Sequence, residues 1–113
     1  MAGFEARSVS RFVPLSPRKV RLVIDQVRGL GVVEALALLK FMPTAAAQPV
    51  SKAIASAAAN GEENLGLART DLVVKEIRAD EGPRRQWRRF GARGRFKPIT
   101  RRSSHITVLL SER

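Results

Sequence analysis

The chain has 113 residues, a formal net charge of +11 at pH 7 and no cysteine. This length is typical of one domain, and the lack of cysteine excludes disulfides and thiolate metal sites. The charge predicts an acidic partner, with nucleic acid favoured over an anionic membrane surface. No run approaches the ~20 apolar residues of a membrane helix. Because residues 1–10 lack the apolar core of a secretory signal, we expect a cytosolic protein or the mature form of an organelle protein.

The first two predicted elements are a strand and an amphipathic helix. Residues 4–13 mix β-forming and polar side chains, as a short strand does. Ser16 and Pro17 are typical of a helix start, with serine at the N-cap and proline at the first helical position. Gly29 is placed where such a helix would end. Between them, apolar residues recur at the spacing of one helical face: Val20, Val23, Ile24 and Val27.

Two more helices are predicted before the chain returns to strands. Residues 32–41 are apolar nearly all round and form the first of them. Thr44 is predicted to cap the second, which becomes regular near Gln48 and ends at about residue 60. Residues 60–64, with the sequence NGEEN, are predicted to form a turn or loop. One face of the last helix is mostly small and suits close packing on another element: Ala46, Val50, Ala53, Ile54 and Ala57.

Two predicted strands enclose the most basic part of the chain. Residues 71–80 and 105–110 are rich in β-forming side chains, and the simplest topology pairs them in a long antiparallel hairpin. Residues 84–102 would form its distal half, called the arm below. At ~3.3 Å per residue, an arm with its tip near residues 91–93 would reach roughly 25–30 Å. The predicted fold is α+β, with a small antiparallel sheet packed with about three helices and a long protruding β-hairpin, in a single domain over residues 1–113.

The arm has the composition of a nucleic-acid-binding segment. It has no acidic residue and nine basic ones, which are Arg84, Arg85, Arg88, Arg89, Arg93, Arg95, Lys97, Arg101 and Arg102. Guanidinium groups donate paired hydrogen bonds to phosphate and stack on bases. Trp87, Phe90 and Phe96 are further stacking faces, worth ~1–3 kcal/mol per base. Gly91 and Gly94 permit close approach of RNA. The alternative is a disordered basic loop, because like charges repel one another without a polyanion.

A second basic patch lies on the first predicted helix, at Arg18, Lys19, Arg21 and Arg28. At 100° per residue, the three arginines fall on the side opposite the apolar face. Arg18 and Lys19 lie in the first turn, where cations oppose the helix dipole and cost some stability. This placement indicates that the charges bind an anion. The alternative is an ordinary solvated helix face.

No residue pattern supports catalysis or a metal site. His105 is the single histidine, and no serine–aspartate pair or metal-ligand partner stands at a recognisable spacing from it, which predicts a structural role. Residues 62–63 and 80–81 are adjacent carboxylates, and neighbours in a strand point to opposite faces, so neither pair suits acid–base chemistry. We interpret them as solvated turn residues or arginine partners. We therefore expect no enzymatic activity and no cofactor.

Five motifs occur together in an order that is specific to one family. They are SPRKVRLVIDQVRG (16–29), VSKAIASAAAN (50–60), DEGP (80–83), ARGR (92–95) and RRSSHITVLL (101–110). In this order they resemble the universal ribosomal large-subunit protein twenty-two family, over nearly the whole chain.

This resemblance implies a structural constituent of the large ribosomal subunit. The implied partners are large-subunit rRNA, neighbouring ribosomal proteins and the nascent peptide, with no membrane. Arg18, Lys19 and Arg21 would bind rRNA from the body, while residues 84–102 would thread into rRNA as a hairpin extension. The hairpin tip would line the nascent-peptide exit tunnel. The residues expected at the tip are Trp87, Phe90, Gly91 and Arg93. The implied location is the cytoplasmic ribosome, with a plastid or other organelle ribosome as the alternative.

Two other functions fit parts of the sequence. A free-standing RNA-binding or RNA-chaperone module would use the same arm and bind short RNA without ribosomes. Sedimentation with the large subunit at high salt distinguishes a ribosomal component from such a module. A membrane-surface protein is disfavoured because the basic run has neither an amphipathic helix nor a lipidation site.

Overall fold

The computed structural model of the protein describes residues 5–82, 85–90 and 96–112, with side chains described for residues 5–82 and 102–112. The elements in chain order are β1 (Glu5–Val13), α1 (Pro17–Val27), α2 (Val32–Lys40), α3 (Ala47–Leu65), a short 3₁₀ helix (Arg69–Asp71), β2 (Leu72–Glu81), β3 (Arg85–Phe90), β4 (Phe96–Arg101) and β5 (Ser104–Glu112). The predicted α+β class is confirmed. None of the helices that the structure describes has the length and hydropathy of a membrane span.

Three antiparallel strands form the sheet of the body, in the order β1-β5-β2. The central strand β5 pairs with β1 from Glu5↔Ser111 onward and with β2 from Leu72↔Glu112 to Glu81↔Ser104. Alternate residues of β5 are buried: Ser104, Ile106, Val108 and Leu110. The three apolar residues among them form one core with the apolar faces of the three helices. The sheet is therefore covered by helices on one face.

A register irregularity in each outer strand keeps the apolar residues on the covered face. In β2 the pairing shifts between Val74 and Glu76, and Ile77 is buried three residues after the buried Val74. In β1 it shifts between Ser10 and Val13, and Val13 joins the core. An extra residue in one strand changes the parity of the pleat. Without these shifts, the second half of each strand would turn its apolar side chains to solvent.

Helix α1 forms as the apolar periodicity predicts. Val20, Val23, Ile24 and Val27 are all buried, and Pro17 occupies the first helical position. Ser16 is the N-cap residue, but the structure shows no capping hydrogen bond from its side chain. Gly29 follows the helix with a φ of 85°, and its N–H donates to the Val74 carbonyl at 3.0 Å. This left-handed conformation explains the glycine and joins the end of α1 to β2.

Helix α3 differs from its predicted bounds at both ends. The N-cap residue is Ala46 rather than Thr44, and the helix continues through the predicted loop 60–64 to Leu65. It ends at Gly66, which has a φ of 67° and donates its N–H to the Gly61 carbonyl. The predicted small face is confirmed, since all of its members are buried: Ala46, Val50, Ala53, Ile54 and Ala57.

Close packing on the sheet explains why Gly61 lies within a helix rather than in a turn. A Cβ atom at Gly61 would lie 3.2 Å from Leu72 Cδ1 and 3.4 Å from Ala6 Cβ. The side-chain amide of Asn60 donates to the Arg7 carbonyl of β1 at 3.0 Å. The Asn-Gly pair, which favours a turn in isolation, therefore lies in α3 and contacts the sheet. Tertiary packing overrides the local turn preference of this pair.

Beyond the body, the chain continues in a second pair of antiparallel strands. β3 pairs with β4 from Arg85↔Arg101 to Phe90↔Phe96, as the hairpin prediction requires of these segments. The molecule measures 63 × 26 × 20 Å along its principal axes. Arg84 and the predicted tip at residues 91–93 lie outside the described residues. The limits of the arm at 84–102 and its place in a single domain remain predictions.

Candidate nucleic-acid interface

The predicted arm residues are distributed over the two strands β3 and β4. Arg85, Trp87, Arg88, Arg89 and Phe90 belong to β3, and Phe96, Lys97 and Arg101 belong to β4. Arg102 follows β4 and is exposed. The other predicted arm-site residues lie outside the described residues: Arg84, Gly91, Arg93, Gly94 and Arg95.

The strand register places cations opposite one another along the arm. Arg85 is the partner of Arg101, and Arg89 is the partner of Lys97. Like charges directly opposite in an antiparallel pair destabilise the pairing. A polyanion that neutralises them would remove this cost, so binding and arm order should be coupled.

The base of the arm is held by close backbone contact. The Gly82 N–H donates to the Ser103 carbonyl at 2.9 Å, and a Cβ at Gly82 would lie 2.5 Å from Ser103 Oγ. No larger residue fits this approach without displacement of Ser103. The buried hydroxyl of Ser104 donates to the Leu15 carbonyl at 2.6 Å. These contacts hold together the two chain segments from which the arm continues.

Two arginines of the predicted α1 patch contact the outer strand β2. Arg21 donates from Nε and Nη2 to the Ala79 carbonyl at 3.1 and 2.9 Å. Arg28 donates from Nη2 to the Ile77 carbonyl at 2.9 Å and pairs through Nη1 with Asp25 at 2.8 Å. An outer strand of a sheet leaves backbone groups without strand partners, and these guanidinium groups satisfy two of its carbonyls. The sequence showed the charges but not this structural role.

Arg18 and Lys19 differ from the other two members of the patch. Both are exposed, and neither forms an ion pair with any residue that the structure describes. Some other cations of the body are paired with carboxylates, in the pairs Arg69–Glu62, Lys75–Glu5, Arg78–Glu76 and Arg78–Asp80, whereas Arg11 is in no such pair among the described residues. Arg18 and Lys19 therefore keep their full charge available to an external anion.

Two of the predicted carboxylates and the histidine form contacts of the structural kind expected of them, with one correction. Glu62 pairs with Arg69 and Asp80 with Arg78, but Glu62 lies on α3 rather than in a solvated turn. His105 Nδ1 accepts a hydrogen bond from the backbone N–H of Phe12 at 3.1 Å. Within the described residues, no three histidine or carboxylate side chains lie together as a metal site would require.

The family model described as Ribosomal protein L22p/L17e matches residues 8–111. The chain belongs to this family. The resemblance predicted from the five ordered motifs is thereby confirmed. As a member of the L22 family, the protein is a structural constituent of the large ribosomal subunit. It binds large-subunit rRNA beside other ribosomal proteins, and the family is one of structural proteins rather than enzymes.

The contacts of the α1 patch predict two separable effects in this L22-family protein. Arg21→Ala should lower the free energy of unfolding by about 1–2 kcal/mol, because the Ala79 carbonyl loses a charged donor. Arg18→Ala with Lys19→Ala should change it by less than about 0.5 kcal/mol. The double variant should instead reduce the log–log salt slope of rRNA binding by about 1.5. Urea denaturation and filter binding at several salt concentrations measure both effects. An unchanged slope would identify Arg18 and Lys19 as a solvated helix face.

Proposed function

We propose that the arm of this protein lies between rRNA segments and that its tip lines the nascent-peptide exit tunnel. The observation that carries the proposal is a second antiparallel pair, β3 with β4, in the chain between Glu81 and Ser104. A paired arm of this length reaches well past the sheet that anchors it. Its composition, nine cations and no carboxylate, suits a path bounded by phosphates.

In this proposal the cations contact phosphates and the aromatic residues contact bases. Phosphate contacts position a protein on RNA, while stacking on unpaired bases adds sequence-tolerant affinity. The proposed rRNA contacts are Arg18, Lys19, Arg21, Arg28, Arg84, Arg85, Arg88, Arg89, Arg93, Arg95, Lys97, Arg101 and Arg102. The proposed tip residues are Trp87, Phe90, Gly91 and Arg93. Within the α1 patch, Arg18 and Lys19 have the strongest support, because Arg21 and Arg28 are held by strand carbonyls whereas Arg18 and Lys19 form no ion pair with a described residue.

In this proposal the protein acts by neutralising rRNA charge and by holding rRNA segments together. Neutralising phosphates where several rRNA segments converge favours their compact arrangement during assembly, and counterion release supplies much of the affinity. A free-standing RNA chaperone using the same arm is the alternative. It predicts that the protein leaves the large subunit in a sucrose gradient at high salt, whereas the proposed role predicts that it stays.

Photo-crosslinking of a stalled nascent peptide tests the tunnel assignment. A benzophenone amino acid in place of Trp87 should crosslink to the peptide inside assembled ribosomes. The same probe in place of Phe41, an exposed residue after α2 on the body, is the matched control and should not. Assembled ribosomes in which position 87 gives no peptide crosslink would contradict the assignment while leaving rRNA binding by the arm untouched.

A further inference from the structure

Phe12 has an unusual backbone conformation for a large side chain. Its φ is 59°, and among the described residues it is the only non-glycine residue with a positive φ. A bulky residue in this left-handed region is strained, and such strain persists where the surrounding structure enforces it and is concentrated at functional sites. Its side chain is nevertheless 65% exposed. The strain therefore does not place the ring in the core.

Contacts with His105 hold Phe12 in this position. The Phe12 N–H donates to His105 Nδ1 at 3.1 Å, and the two rings meet edge to face with centroids 5.1 Å apart and planes at 87°. Phe12 lies within the β1 irregularity that ends at Val13, which is buried. The bulge thus buries Val13 in the core and leaves the ring of Phe12 exposed to solvent. In an edge-to-face contact, the His105 ring can cover at most one face of the Phe12 ring. At least one face of the Phe12 ring is therefore not covered by His105.

The charges around Phe12 match an RNA strand. Arg11 precedes it in β1, and Arg102 lies two residues before Ser104, the partner of Val13 across the sheet. Both arginines are exposed, and neither forms an ion pair within the described residues. A positioned aromatic ring with two available cations close to it in the chain and in the strand register has the composition of a single-stranded RNA contact.

A solitary exposed phenylalanine is ordinary on protein surfaces, and Phe41 provides the comparison. Phe41 is 81% exposed, but it follows α2 with a φ of −98° and has no ring contact among the described residues. Phe12 differs in having a strained backbone, a fixed ring and neighbouring cations. These differences separate a positioned platform from an incidental surface residue.

We propose that Phe12 is a stacking platform for one unpaired base of large-subunit rRNA, with Arg11 and Arg102 contacting the adjacent phosphates. A ring already fixed by His105 loses little conformational freedom when a base stacks on it. The proposal rests on rRNA binding by the family and is independent of the tunnel assignment. It adds an interaction at the base of the arm to the phosphate contacts proposed above.

Binding of the isolated protein to protein-free large-subunit rRNA tests the platform. Phe12→Leu should weaken binding about 5- to 150-fold, the equivalent of one lost stack, and Phe12→Trp should retain the affinity. The matched Phe41→Leu variant should bind like the original protein. An affinity unchanged in Phe12→Leu, or lowered equally in Phe41→Leu, overturns the proposal.

A glycine variant separates binding from folding. Phe12→Gly removes the positive-φ strain, so its thermal midpoint should remain within a few degrees of the original while rRNA affinity falls as in Phe12→Leu. If the thermal midpoint of Phe12→Gly falls so far that unfolding explains the lost binding, Phe12 is needed for folding rather than for RNA contact, and the proposal is overturned.

Crosslinking in assembled large subunits identifies what covers Phe12. A benzophenone amino acid at position 12 should give a reverse-transcription stop at one rRNA site that the same probe at position 41 does not give. Crosslinks to protein alone would assign this surface to a neighbouring ribosomal protein and overturn the RNA platform.

Discussion

Removal of the arm is expected to leave a folded body that has lost most of its salt-dependent affinity for RNA. Glu81 and Ser104 are directly opposed across β2 and β5, so a two-residue turn in place of residues 82–103 closes the hairpin without changing the register. The buried core lies entirely outside the replaced segment in the described part of the chain. The replacement removes all nine arm cations. If each contacts a phosphate, the log–log salt slope should fall by about 6–8.

Thermal unfolding and rRNA binding at several salt concentrations measure the two halves of this prediction. The shortened protein should retain one cooperative transition, because its sheet and helices keep their contacts. The Arg18→Ala and Lys19→Ala double variant, with its intact arm, is the control for a small loss of charge. Loss of the cooperative transition would show that the arm is part of the folding unit. A slope close to that of the full chain would place the main phosphate contacts on the body.

Neutralising the cations at the base of the arm should impair subunit assembly more than shortening its tip. Replacing residues 87–99 by a two-residue turn joins Gln86 to its partner Thr100 and preserves the pairing of Arg85 with Arg101. This variant should assemble large subunits at near-normal levels while changing how stalled nascent chains behave. Alanine at the four basal cations, Arg84, Arg85, Arg101 and Arg102, should deplete large subunits first, because phosphate contacts near the body hold the arm between rRNA segments.

A second set of four alanines controls for the number of charges removed. Its members are closer in sequence to the predicted tip: Arg88, Arg89, Arg93 and Arg95. Sucrose-gradient profiles of all three variants measure assembly. Equal depletion by the distal and basal sets, or failure of the shortened variant to assemble, would disprove the proposed division of labour.

Much of the fold was predictable because the relevant signals are local. The apolar spacing of Val20, Val23, Ile24 and Val27 specifies one helical face wherever that helix packs, and all four residues are buried. The β-forming runs on either side of the arm pair as an antiparallel hairpin, as neighbouring strands in sequence usually do. The charge of the arm and the order of the five motifs along the chain can likewise be read from the sequence without the fold.

The roles of Arg21 and Arg28 depended on tertiary structure. Both satisfy β2 carbonyls that lie 58 and 49 residues away along the chain. The helical periodicity predicts that these arginines lie on the polar face of α1. It does not predict their partners, because it contains no information on which strand lies beside that face. Their contacts are therefore decided by the packing of α1 against β2.

The sequence by itself determined the α+β class, the amphipathic α1, the paired strands, the concentration of charge in residues 84–102 and the family. Tertiary structure alone decided the extent of α3 and the conformation of Phe12. Gly61 is helical because Ala6 and Leu72 approach it, although an Asn-Gly pair favours a turn in isolation. Phe12 adopts a left-handed conformation because a bulge and His105, 93 residues away, hold it there. Periodicity and composition report local preference, whereas these positions are decided by contacts between distant segments whose combined energy exceeds that preference.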